Sequence, residues 1–100
     1  MSTGSSYYVY TLSSGIGGTF YIGVTNDLVR RVYEHKEKAA DGFTKKHDVD
    51  QLVYYEQFEG AEAVIHREKR LKRYNRAWKI QLIGEQNPNY VDLYPSIAKF

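Results

Sequence analysis

Near the start of the chain two short runs of aromatic and β-branched residues flank a polar, glycine-rich stretch. Residues 7–12, Tyr7-Tyr8-Val9-Tyr10-Thr11-Leu12, are aromatic and β-branched and read as a strand. Ser13-Ser14-Gly15-Ile16-Gly17-Gly18 is a flexible turn, and residues 19–24 form a second strand, so the two make a hairpin. On that second strand Phe20, Ile22 and Val24 share one face, and Thr19, Tyr21 and Gly23 share the other. Tyr21 therefore projects from the more polar side. Gly23 beside it leaves room for another backbone or a ligand to come close.

The period then changes. Asn26 is placed to cap a helix running to about Ala39, with Asp27 in the favourable first turn. At about 100° per residue, Leu28, Val32 and Ala39 form one stripe, with His35 inside it and Arg31 on its edge. A polar loop over residues 40–50 carries Lys45, Lys46 and His47. Gln51–Phe58 is the third strand, and Gly60 opens a second helix from Ala61 to about Tyr74. Trp78, Ile80, Leu82 and Ile83 fall in a third helix or its continuation, which stops before Asn87-Pro88. The tail, Tyr90-Val91-Asp92-Leu93-Tyr94, is expected to pack back as an irregular segment.

The order β-β-α-β-α-α gives an α+β fold, a three-stranded sheet flanked by three helices. A helix returns the chain from the end of strand two, so strand three runs parallel to strand two. A wholly antiparallel sheet then needs the first strand at its centre. Residues 7–100 read as one domain, and residues 1–6 as a disordered arm.

Composition narrows the class. The chain has 100 residues and a net charge of +2, too small to argue for nucleic acid by itself. It has no cysteine, which excludes disulfides and thiolate metal sites. No run is long and apolar enough to span a membrane, and the first residues do not form a signal peptide. A cytoplasmic protein is the expectation.

The placement of charge is more telling. Residues 66–79 hold seven Lys or Arg and one acid, Glu68. With Ala61, Val64 and Ile65 as the inward stripe of the second helix, Glu68 falls near its middle. An i,i+4 pair with Lys72 gives only ~0.3–0.5 kcal/mol, whereas desolvating a carboxylate typically costs several kcal/mol. Glu68 is thus expected to face a polar cavity or a cation. As a metal ligand it is a single hard oxygen donor, which Mg²⁺ tolerates when water and substrate phosphate supply the rest. The surrounding cations suit a polyanion, and they suit a plain solvated face equally. Taken alone, His35 fits a satisfied core histidine, and Arg31 fits a surface ion pair with Asp27 or Glu34. Both sit at one helix edge directly after Tyr21, which favours a functional reading.

Tyr8-Val9-Tyr10, Tyr21-Ile22-Gly23, Arg31, His35 and Glu68, in this order and spacing, resemble the GIY-YIG nuclease family. The likeness covers roughly residues 7–90. It is strongest to small standalone bacterial members, similar to the N-terminal catalytic module of the excision-repair nuclease. It implies a metal-dependent endonuclease that hydrolyses phosphodiester bonds in DNA, more than in RNA, in a repair or recombination setting. By position it implies Tyr10 and Tyr21 as the motif tyrosines, Arg31 as the catalytic arginine, His35 as the helix histidine and Glu68 as the ligand of Mg²⁺ or Mn²⁺. Lys45, Lys46, Lys69, Lys72 and Arg73 would track the nucleic-acid backbone. The chain departs from the family pattern twice. Tyr8 replaces the first motif glycine, and Trp78-Lys79-Ile80 stands where an asparagine is common, with Asn75 and Asn87 nearby. Two other readings share parts of this pattern: a nucleic-acid-binding module without cleavage, and a protein–protein adaptor using Tyr54, Tyr55, Phe58 and the tail aromatics.

Overall fold

A computed structural model of the chain describes residues 6–38, 42 and 47–98. The elements run β1 (Tyr7–Ser13), β2 (Phe20–Thr25), α1 (Leu28–Lys36), β3 (Gln51–Phe58), α2 (Ala61–Arg73), α3 (Arg76–Gln86) and a single-turn α4 (Tyr94–Ile97). The sheet order is β2-β1-β3 and both pairings are antiparallel, with the first strand in the centre as the strand directions require.

The alternation along β1 and β2 sorts side chains onto two faces. Tyr10, Leu12 and Tyr21 pack against Leu28 and Val32 of α1, together with Val49, Leu52 and the tail residues Leu93, Tyr94 and Ile97. Val9 and Ile22 face the other way, onto Val64 and Leu71 of α2. Ile83 of α3 joins Val53 and Tyr54 to complete that layer. Burying each such aliphatic side chain contributes about 1.5–3 kcal/mol.

Several local details differ from the sequence reading. Asp27, not Asn26, is the N-cap of α1, and its carboxylate accepts from the Arg30 amide. Thr25 Oγ1 accepts from the Asp27 amide and holds the cap in place. The helix ends at Lys36, before the expected Ala39, which lies outside the described residues. On α2, Ala61 and Ile65 are exposed, and the inward stripe is Val64, Arg67, Glu68 and Leu71. The rotation has a cause. Arg67 turns in to grip Glu56 of β3 through two 2.9 Å hydrogen bonds, and the buried Tyr54 hydroxyl donates to the same carboxylate.

Extended backbone at Tyr74 breaks α2 from α3, and the Asn75 side chain caps α3 by accepting from the Trp78 amide at 2.8 Å. Asn87 is likewise structural. Its amide donates to the carbonyls of Val53 and Val91 and accepts from the Val91 amide. The tail is more ordered than expected. Leu93 donates to the Leu52 carbonyl at 2.7 Å, and Asp92 accepts from the amides of Leu52 and Tyr94 while pairing with Lys36.

The expected arm over residues 1–6 and the loop cations Lys45 and Lys46 fall largely outside the described residues. Ser6 is described, and its hydroxyl accepts from Gln57. Tyr54 is buried, and Tyr55 and Phe58 are half-buried against the sheet, which removes most of the aromatic surface an adaptor would use.

Candidate active site

Tyr10 lies at the middle of the central strand, directly opposite Gly23 of β2. Its ring crosses the glycine: a Cβ at residue 23 would stand 2.6 Å from Tyr10 Oη and 2.8 Å from Cζ. The space left by the motif glycine is therefore filled by the tyrosine of the neighbouring strand. Gly23→Ala is expected to push the phenol off its partners and destabilise the fold by about 1–3 kcal/mol, as overpacking does. A group misplaced by ~1 Å is also expected to lower any cleavage rate about 10²-fold. A denaturant melt and a rate measurement on the same variant check both parts. A wild-type melt and rate would show that the phenol's position does not depend on Gly23.

Held this way, Tyr10 Oη lies 3.0 Å from Nε2 of His35 on α1, and both side chains are buried. The Tyr21 ring packs beside them, with its centroid 5.2 Å from the imidazole and 6.3 Å from the Tyr10 ring. Arg31, one turn before His35, is near enough to the Tyr10 hydroxyl to act on it. Arginine only donates, so the pattern that satisfies all three groups has Arg31 donating to Oη and the phenol proton given to His35 Nε2.

Burial dominates the electrostatics of Tyr10. It pushes the phenol up to about 12, with the Arg31 hydrogen bond pulling the other way. At 1% exposure, Tyr10 keeps its proton through the neutral range and has no access to bulk water. Tyr21 is only half-buried, so of the two phenols it is the one a water can reach.

Glu34 closes the arginine side of the cluster. It accepts from Arg31 at 3.0 Å and from Arg30 at 3.2 Å, and the Arg31 pair holds its carboxyl below the usual range. This is the ion pair the sequence allowed, and it leaves Arg31 free to act on Tyr10 as well. Arg31 and Glu34 open onto a polar cleft of about 460 Å³, lined also by Thr25, Asn26, Asp27 and Arg30.

Glu68 sits on the inward stripe of α2, near enough for its charge to act on the Tyr10 hydroxyl. It pairs with Lys72 at 3.2 Å, yet the two differ in setting: the Glu68 side chain is 21% exposed and the Lys72 side chain 55%. The carboxylate is thus neither sealed in a dry pair nor freely solvated. Lys69, Lys72 and Arg73 are exposed on the outer side of α2. Among the described residues no three His, Asp or Glu side chains gather as a metal cage. Glu34 is held by Arg30 and Arg31, so among the described residues of the cluster Glu68 is the acid left to meet a metal. A lone hard oxygen donor of this kind fits Mg²⁺ or Mn²⁺, which complete their shells with water and phosphate, and would not fit a metal that needs several protein ligands.

A hairpin with two phenols, a helix with a cation and an imidazole one turn apart, and one carboxylate from the next helix make up a GIY-YIG-type catalytic domain. Residues 6–81 match the family model described as the GIY-YIG catalytic domain. A UPF0213 protein of Syntrophus aciditrophicus is 36% identical over 85 residues, covering 84% of this chain and 95% of the relative. One from Natronomonas pharaonis is 33% identical over 82 residues, covering 82% and 95%. The solution structure of a UPF0213 protein from Bacillus halodurans superposes with a TM-score of 0.55 at 28% identity, covering 87% of this chain and 92% of that one. The chain belongs to the GIY-YIG family, as a small member of it, and the domain is typically a nuclease fold. Nucleases of this family generally use a divalent metal.

Proposed function

We propose that this protein is a metal-dependent endonuclease that hydrolyses phosphodiester bonds in DNA, with residues 7–100 acting as one catalytic domain. The reading is carried by the meeting of Tyr10, Tyr21, Arg31 and His35 in one network that also feels Glu68. A purely structural role would not explain why a partly exposed cation and a partly exposed carboxylate from two different helices both act on one buried phenol.

In this mechanism Glu68 would hold Mg²⁺ or Mn²⁺, and the ion would supply charge stabilisation for phosphodiester cleavage. Tyr21, the half-buried phenol, is placed to take or relay the proton of the attacking water. The water oxygen bonds to phosphorus as the bond to the 3′ oxygen breaks. The products are a 5′ phosphate and a 3′ hydroxyl. Arg31 donates to the non-bridging oxygens, whose charge grows in the transition state. Tyr10, protonated throughout, fixes His35 and Arg31 rather than exchanging protons. His35 orients the phenols from beneath. Lys69, Lys72 and Arg73, with Lys45 and Lys46 of the loop, contact the backbone phosphates.

The test is incubation with single-stranded, duplex, flapped and junction DNA, with Mn²⁺ and with EDTA. Cleavage of at least one substrate that depends on Mn²⁺ is expected. Tight, salt-sensitive binding with no cleavage of any substrate would instead make the protein a binding module. Among the described residues no helix is long and apolar enough to cross a membrane. DNA repair or recombination in the cytoplasm is the setting we propose.

A further inference from the structure

Trp78 is 57% exposed at the start of α3, an unusual place for the chain's single tryptophan. Its ring is held there. Tyr74, in the break between α2 and α3, meets it edge-on, with centroids 5.4 Å apart and planes at 89°. Tyr74 is itself fixed from the other side by Arg67, whose guanidinium lies 5.9 Å from the ring centroid and is locked onto Glu56. The indole is thus braced by a second ring and stands beside a shallow cavity of about 250 Å³ lined by Tyr74, Trp78, Gln81, Leu82 and Glu85.

The surroundings identify the occupant. Arg67 pairs with Glu56 and Lys72 with Glu68, whereas Lys69, Arg70, Arg73 and Lys79 form no salt bridge with another described residue. Arg73 precedes Tyr74 and Lys79 follows Trp78 in the chain, so each ring of the pair has a cation next to it in sequence, a setting that suits a ligand both anionic and aromatic. An unpaired nucleotide combines these, with a phosphate for the cations and a base face for the indole. A protein partner would need a broader apolar surface. Tyr74 lies six residues beyond Glu68, roughly 9 Å along the helix axis. The aromatic pair therefore begins just past the end of the helix that carries Glu68.

We infer that Trp78, braced by Tyr74, is a stacking platform for an unpaired base of the nucleic-acid substrate, so that the protein prefers DNA with a single-stranded segment. The inference rests on the nucleic-acid reading of the basic helix and deepens it by naming the substrate class. Because the chain has one tryptophan, its emission reports this site alone. In EDTA, so that nothing is cut, oligothymidylate is expected to quench the emission. A blunt duplex, brought to equal occupancy as judged by polarisation of a labelled strand, is expected to quench it far less. Trp78→Ala is expected to weaken oligothymidylate binding about 5- to 100-fold, the loss that removing one aromatic–base stack produces. Trp78→Phe is expected to keep most of the affinity. An exposed side chain carries little of the fold, so unaltered melting should accompany both. Unchanged emission at saturation, equal quenching by blunt duplex, or wild-type affinity in Trp78→Ala overturns the proposal, as does failure to bind any oligonucleotide. Cleavage is scored separately with Mn²⁺ added. Quenching without cleavage supports the platform while removing the hydrolase reading, and cleavage without quenching removes the platform alone.

Discussion

Glu68→Gln is expected to bind nucleic acid and fail to cut it. Glutamine keeps the shape of the side chain and removes the charge, so what is lost is the hard anionic oxygen on which a divalent metal would rest. Metal-derived charge stabilisation contributes several kcal/mol to such reactions, so the rate is expected to fall on the order of 10³-fold or more. Affinity should hold or rise. A negative charge leaves a basic helix, and Lys72, now paired with Glu68 at 3.2 Å, is released toward the phosphates. Stability should barely change, since an i,i+4 pair with a largely exposed lysine is worth only ~0.3–0.5 kcal/mol. The rival account, that Glu68 is only the partner of Lys72, predicts unaltered cleavage. Single-turnover rates in Mn²⁺ beside an equilibrium binding curve in EDTA separate the two, and a wild-type rate removes Glu68 from the chemistry.

Arg31→Ala is expected to lose about 10²–10³-fold in rate, the usual penalty for deleting one donor to developing transition-state charge. The helix supplies its own control. Arg30 and Arg31 both pair with Glu34, and removing either changes the net charge equally, but only Arg31 reaches the Tyr10 hydroxyl. The Arg30 side chain is 75% exposed, against 34% for Arg31. Arg30→Ala should therefore weaken binding slightly and leave the catalytic step near wild type. Arg31→Ala should lower kcat itself. If the two variants behave alike, Arg31 is one more backbone contact and has no special part in catalysis.

Much of the fold was legible because each element leaves a local signature. The aromatic and β-branched run of β1, the glycine turn and the period-two pattern of β2 define the hairpin. The bounds of β3, Gln51–Phe58, follow from the same pattern. The central position of β1 needed no three-dimensional information, only the return path of α1. The site was partly legible for a similar reason: Arg31 and His35 are one turn apart on a helix, and that spacing places them side by side.

Other features depended on contacts between distant residues. The cap of α1 passed from Asn26 to Asp27 because Thr25 braces the later residue. The buried stripe of α2 rotated because Arg67 finds Glu56 eleven residues away on a different element. Gly23 offered room, but only the strand register shows that Tyr10 fills it. Asn75 and Asn87, the nearest asparagines to the family's usual position, serve as a cap and a tail clamp.

Apart from the single-turn α4 in a tail expected to be irregular, the order and type of the elements, the sheet topology and the identity of the residues able to do chemistry were set by the linear chain, since these follow from periodicity, chain direction and side-chain type. Which of those residues meet, which phenol is sealed from water and where the tryptophan stands were settled in three dimensions, because burial and hydrogen bonding across elements depend on packing that no local pattern encodes.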